Sequence, residues 1–192
     1  MLARHSLIVE SAQLQLSICK AYESKIKIEP EISPSISIKN RSDVTDLSCK
    51  IFSCYNYIMK VKSEQEMLLF GESFAKTIKI PTIIELVGDV GAGKTTFVRG
   101  LAKGLGVKEP VTSPSFTISK SYALKNGGFL VHYDFYRLQS PGLMAEDLQE
   151  NLSNLKNIVI IEWGESIKDL LPENHQRIEI KYNEDDSREV II

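Results

Sequence analysis

Eight residues, Gly88-Asp89-Val90-Gly91-Ala92-Gly93-Lys94-Thr95, fit G-x-x-x-x-G-K-[ST], the pattern of a phosphate-binding P-loop. In such a loop, backbone N–H groups face phosphate oxygens at a helix N-terminus. Here the groups of Gly91, Ala92, Gly93, Lys94, Thr95 and Thr96 are the candidates. Lys94 is placed to reach the β- and γ-phosphates, and the Thr95 hydroxyl to ligate Mg²⁺. Three further clusters could act on a bound phosphate. Ile158–Glu162 is four apolar residues ending in an acid, the Walker-B arrangement that sets a carboxylate beside the metal. In His132-Tyr133-Asp134-Phe135-Tyr136-Arg137, strand alternation puts His132, Asp134 and Tyr136 on one face. Asp134 could orient or deprotonate water, or hold the metal's water shell. Arg137 could pair with an acid or a phosphate, whereas His132 reads best as a satisfied structural histidine. Val111-Thr112-Ser113-Pro114-Ser115-Phe116-Thr117 sets four hydroxyls around a proline. That suits either a switch-like loop over the γ-phosphate or an ordinary turn before a strand.

These groups need elements to hold them. Thr82–Val87 is apolar and β-branched, which predicts a buried strand entering the loop. Thr95–Leu105 carries Phe97, Val98, Leu101, Ala102 and Leu105 at helical spacing, which predicts a helix leaving it. Upstream, Ser63-Glu64-Gln65-Glu66 forms a capping box, Met67, Phe70, Phe74 and Ile78 follow on one face, and Pro81 is expected to end that helix. Ser115–Leu124 reads as a strand, Asn126-Gly127-Gly128 as a hairpin turn, and Phe129–Asp134 as the returning strand. Leu143–Leu155 reads as one or two helical turns packed by Leu143, Leu148, Leu152 and Leu155. Asn157–Glu162 reads as a buried strand. Arg177–Tyr182 and Arg188–Ile192 form a last hairpin around the acidic turn 183–186. The expected fold is α/β, a P-loop NTPase fold with a mainly parallel central sheet and antiparallel edge hairpins.

The chain has 192 residues, 43% apolar and 25% charged, which suits one domain plus an extra segment. A net charge of −2 argues against a dedicated nucleic-acid surface. No apolar run approaches the ~18 residues of a membrane span. Cys19, Cys49 and Cys54 are an odd count for a disulfide framework and all lie before residue 59, in keeping with a reducing cytoplasm. Residues 1–58 contain no glycine and are broken by Pro30 and Pro34. They read as a poorly ordered extension of unknown role, with Met59 as a possible initiation site and 59–192 as the working domain.

The chain resembles the TsaE family, the YjeE-type P-loop ATPases of bacterial tRNA threonylcarbamoyladenosine synthesis. The resemblance covers roughly residues 60–192. It rests on GDVGAGKTTFVRGLAKGLG at 88–106, VTSPSFT at 111–117, HYDFYRL at 132–138 and IIEWGE at 160–165, in that order and spacing. It implies that Lys94 and Thr95 are the Walker-A lysine and magnesium ligand, Asp134 the catalytic aspartate, and Glu162 a magnesium ligand with Trp163 beside it. Ser115 stands where the family usually has threonine, keeping the hydroxyl without the methyl. Arg188 looks like the arginine near the nucleotide, and Glu64 like the acid near its base end. Residues 1–58 have no counterpart in the family pattern, and Ser140–Asp147 lacks its usual Leu-Gly pair.

The implied activity is a cytoplasmic, Mg²⁺-dependent ATPase that binds the TsaB–TsaD pair and resets it between rounds of modifying adenosine 37. It would meet tRNA only through that complex and would not itself transfer the threonylcarbamoyl group. Two rival functions are compatible with the P-loop: a small-molecule kinase, for which no arginine-bearing lid is evident, and a nucleotide-gated binding module with little turnover.

Overall fold

The β-branched run Thr82–Val87 forms a strand at the heart of a seven-stranded sheet. The computed structural model describes residues 58–136, 138, 142 and 144–192. Within them the strands are β1 (Ile58–Val61), β2 (Thr82–Val87), β3 (Ser119–Ala123), β4 (Phe129–Asp134), β5 (Ile158–Glu162), β6 (Gln176–Tyr182) and β7 (Arg188–Ile191). Their order across the sheet is β1-β7-β6-β2-β5-β4-β3. The central pairs β6–β2, β2–β5 and β5–β4 are parallel, whereas β1–β7, β7–β6 and β4–β3 are antiparallel. The expected parallel centre with antiparallel edges is therefore present. All five residues of β5 are buried, as a strand covered on both faces requires.

One face of the sheet packs Val131, Tyr133, Val159 and Ile161 against Leu148 of helix α3 (Met144–Ser153) and Ile167 of a 3₁₀ helix (Gly164–Leu170). The Tyr133 hydroxyl donates to Asp147 at 2.5 Å and accepts from Asn151 at 2.9 Å, pinning α3 to β4. Burial, reinforced by the Asp147 bond, pushes the Tyr133 hydroxyl well above the ordinary range. By alternation, Leu130, His132, Asp134, Ile158, Ile160 and Glu162 point to the opposite face. There lie helices α1 (Glu64–Phe74) and α2 (Lys94–Leu105), joined by the rings of Phe70, Phe74 and Phe97 with centroids 5.5 to 6.1 Å apart. These helices approach so closely that a Cβ on Gly71 would strike the Phe97 carbonyl and one on Gly100 the Leu68 carbonyl. The glycines inside α2 thus serve packing, although glycine costs a helix about 1 kcal/mol relative to alanine.

Several boundaries differ from the sequence reading. Helix α1 starts as expected, with Ser63 Oγ accepting from Glu66 N at 3.1 Å, but the Glu66 carboxylate reaches back to Lys62 N at 2.8 Å. It ends at Phe74 rather than Pro81, because Lys76 N and Thr77 N turn back to Ser73 O and Phe74 O. Ser115–Ile118 is not strand: Pro114 O accepts from both Thr117 N and Ile118 N, closing a tight turn, and Ile118 has φ 66°. Helix α3 is ten residues long, and Leu155 lies beyond it, 76% exposed and outside its packed face. The sheet begins at Ile58, one residue before Met59. Residues 1–57, Arg137 and Leu143 lie outside the described residues, and with them the expectations placed on the extension and on Arg137.

Candidate functional site

At the C-terminal ends of the parallel strands, β2 runs into the 88–93 loop and then into α2. The loop needs backbone that side chains resist: Gly91 and Gly93 have φ of 82° and 109°. Lys94 folds back over this loop. Its Nζ donates to Gly88 O at 2.7 Å and to Asp89 O at 2.9 Å, and lies 4.3 Å from the centre of the Trp163 ring. It is only 4% exposed, and burial lowers its pKa despite the nearby carboxylates of Glu162, Asp134 and Asp89.

Two acids sit side by side above it, since Asp134 and Glu162 are register partners at the ends of β4 and β5. Each is tied to hydroxyls. Glu162 Oε1 accepts from Thr95 Oγ1 at 3.1 Å and bonds His132 Nε2 at 2.9 Å. Asp134 Oδ2 accepts from Ser115 Oγ at 2.5 Å and Ser113 Oγ at 3.0 Å, and its Oδ1 accepts from Tyr136 N at 3.0 Å. The two serine hydroxyls are themselves 2.6 Å apart. The 111–117 segment therefore makes a turn, the second of the two alternatives left by the sequence, and also contacts Asp134, which neither alternative named.

These groups line a cavity of about 690 Å³ that includes Gly91, Gly93, Lys94, Thr95, Thr96, Ser115, Asp134 and Glu162. Ala92 belongs to the same loop but is buried beneath it. Three aromatic rings add to the lining: Trp163 and Tyr136, with centroids 4.9 Å apart, and a fully exposed Phe116 at the rim. The sequence marks Tyr136 only as a strand-face residue and Phe116 only as part of the hydroxyl cluster; strand alternation carries no signal for rings that meet beyond a strand's end.

Glu64 and Arg188 do not line this cavity. Glu64 accepts from Arg99 Nη1 at 2.9 Å, and Arg188 donates to Asp186 O at 2.8 Å while stacking over Tyr182 at 4.7 Å. His132, read from sequence as structural, is fully buried and bonded to the second acid of the site.

The donor set suits a hard divalent cation. A hydroxyl oxygen and a carboxylate oxygen lie 3.1 Å apart at a helix N-terminus. Among the described residues no group of three or more His, Cys, Asp or Glu is placed to hold a metal alone. Magnesium is a cation that works with so few protein ligands, because it keeps waters and takes substrate phosphate oxygens. None of the helices among the described residues is long and apolar enough to cross a membrane.

The family model for "Threonylcarbamoyl adenosine biosynthesis protein TsaE" matches residues 61–190. The chain is 40% identical to the tRNA threonylcarbamoyladenosine biosynthesis protein TsaE of Rickettsia bellii over 131 residues, covering 67% of this chain and 88% of that protein. It is 36% identical to the TsaE protein of Haemophilus influenzae over 130 residues, covering 65% of this chain and 82% of that one. A crystal structure of Bacillus subtilis YdiB superposes with a TM-score of 0.59 at 32% identity, covering 71% of this chain and 84% of the other. The strand–loop–helix with its two tethered acids thus belongs to a chain of the TsaE family, the threonylcarbamoyladenosine biosynthesis proteins.

Proposed function

We propose that the chain is a P-loop ATPase that uses Mg²⁺ and serves tRNA threonylcarbamoyladenosine formation by resetting the TsaB–TsaD complex. The observation that carries this is the convergence of two hydroxyl-tethered acids, Glu162 with Thr95 and Asp134 with Ser115, on one cavity above Lys94. Phosphoryl transfer asks mainly for positioning and charge stabilisation, and the cavity supplies groups for both. Lys94 exchanges the carbonyls of Gly88 and Asp89 for phosphate oxygens, which return countercharge to a buried ammonium. The N–H groups of residues 91–96 cradle the phosphates. Thr95 and Glu162 are the residues that would hold Mg²⁺, which would there neutralise charge on the phosphate oxygens. Asp134 orients the attacking water, and Ser113 and Ser115 fix its carboxylate. Since the serines also line the cavity, their hydroxyls sense whether a γ-phosphate is present.

Arg188 and Glu64 take roles near the nucleotide through the family resemblance alone. The partner is the TsaB–TsaD pair, tRNA is met only through it, and the compartment is the cytoplasm. A net charge of −2 agrees with a protein that need not grip tRNA itself.

The test is ATP hydrolysis by the full chain, with and without the TsaB–TsaD pair. Stimulation by the pair is expected. A rate indifferent to it would leave only a generic P-loop protein, and one accelerated instead by a small metabolite would favour a kinase.

A further inference from the structure

His132 is a buried polar residue whose bonding is lopsided. It is fully enclosed on β4, and its Nε2 lies 2.9 Å from Glu162 Oε1. Its other ring nitrogen, Nδ1, is buried and has no hydrogen-bond partner among the described residues. The only arrangement of a neutral ring that meets its one neighbour puts the hydrogen on Nε2, donating to the carboxylate. The same Oε1 accepts from the Thr95 hydroxyl at 3.1 Å. The carboxylate is thus held from two sides, by a strand residue beneath and by the first turn of α2 beside it.

We propose that His132 is a positioning residue for the metal site. It holds Glu162 against the Thr95 hydroxyl, so that the hydroxyl hydrogen is committed to Glu162 and an oxygen lone pair is left facing the cavity for the cation. This rests on the Mg²⁺ reading above and adds to it a residue that touches neither metal nor phosphate. Residues behind metal ligands change affinity by about 10–100-fold when lost.

The experiment measures Mn²⁺ binding to the full chain with saturating ADP by electron paramagnetic resonance, and ADP binding in chelator by calorimetry. His132→Leu, which keeps bulk and removes the donor, is expected to weaken Mn²⁺ binding about tenfold and to leave metal-free ADP binding unchanged. His132→Gln carries an amide N–H that can stand in for Nε2 and is expected to restore most of the loss, whereas the shorter His132→Asn is not. Should the leucine variant fail to fold, the Gln and Asn variants decide: equal Mn²⁺ affinity in both overturns the proposal. So does wild-type Mn²⁺ affinity in His132→Leu, or a parallel loss of metal-free ADP binding. If Mn²⁺ does not bind the wild-type protein with ADP, the metal reading itself fails. If it binds and Glu162→Gln weakens it while His132→Leu does not, only the role of His132 fails.

Discussion

Glu162 and Asp134 are neighbours in the sheet, equally buried, yet they are held in different ways. Glu162 is fixed by groups on regular elements: Thr95 on α2 and His132 on β4. Asp134 is held at Oδ1 by Tyr136 N, but its Oδ2 is fixed by Ser113 and Ser115, from a loop that joins the sheet only at Ser119. Those serines are exposed, and Phe116 between them and Thr117 projects wholly into solvent. A group carried by the packed core keeps its geometry whatever fills the cavity. A group tethered by an exposed loop can be released and recaptured, because few buried contacts oppose its movement. Under the proposed assignment, the metal side of the site is built once, and the water side is built to respond.

The sharpest way to break the contrast is Asp134→Ala. Turnover is expected to fall by about 10³-fold while ADP affinity stays near wild type, as read by phosphate release and calorimetry. Unchanged turnover would remove Asp134 from the mechanism. Glu162→Gln tests the other half and should raise the Mg²⁺ concentration needed for half-maximal turnover by roughly 10²-fold. If it leaves the Mg²⁺ requirement alone and lowers only the limiting rate, the two acids have been assigned the wrong way round. Replacing Ser113 and Ser115 together by alanine should cost about tenfold in turnover and nothing in Mg²⁺ requirement, because an unsatisfied carboxylate loses roughly 1–3 kcal/mol of support. Either serine alone should cost less, since the other still reaches Oδ2 of Asp134. Ser115→Thr keeps the hydroxyl and adds a methyl at an exposed position. Its effect on turnover should be within about twofold, and a larger change would show that the loop packs more tightly over the cavity than its exposure implies.

The legible parts of this molecule are those where local chemistry decides. Thr82–Val87 and the glycine loop follow directly from β-branching and from backbone conformations that only glycine takes easily. Ser63 announces the start of α1. Its end was less legible, because Pro81 is a strong stop signal and the real stop, a pair of tight turns after Phe74, is written in no single residue. The strand expected at Ser115 failed for a related reason: alternation persists through Ser115–Ile118, but the Pro114 carbonyl captures two N–H groups and closes a turn. Site membership depended on distance in the fold. Thr95, Asp134 and Glu162 converge because strand order brings three chain segments together. Glu64 and Arg188, carried over from family likeness, sit with other partners outside the cavity. The bond from His132 to an acid thirty residues along was invisible, since periodicity assigns a face and not a neighbour.

Trp163 has a left-handed backbone, φ 59° and ψ 50°, immediately after Glu162, and its ring lies against Lys94 and Tyr136. It is also the only tryptophan in the chain. The protein therefore carries an optical reporter at the centre of its own site. If nucleotide binding draws Lys94 from the indole to a phosphate, as proposed, the quenching and polarity around that ring change, and every change in tryptophan emission can be assigned to this one position. Stopped-flow emission could follow each binding and release event in the unlabelled protein.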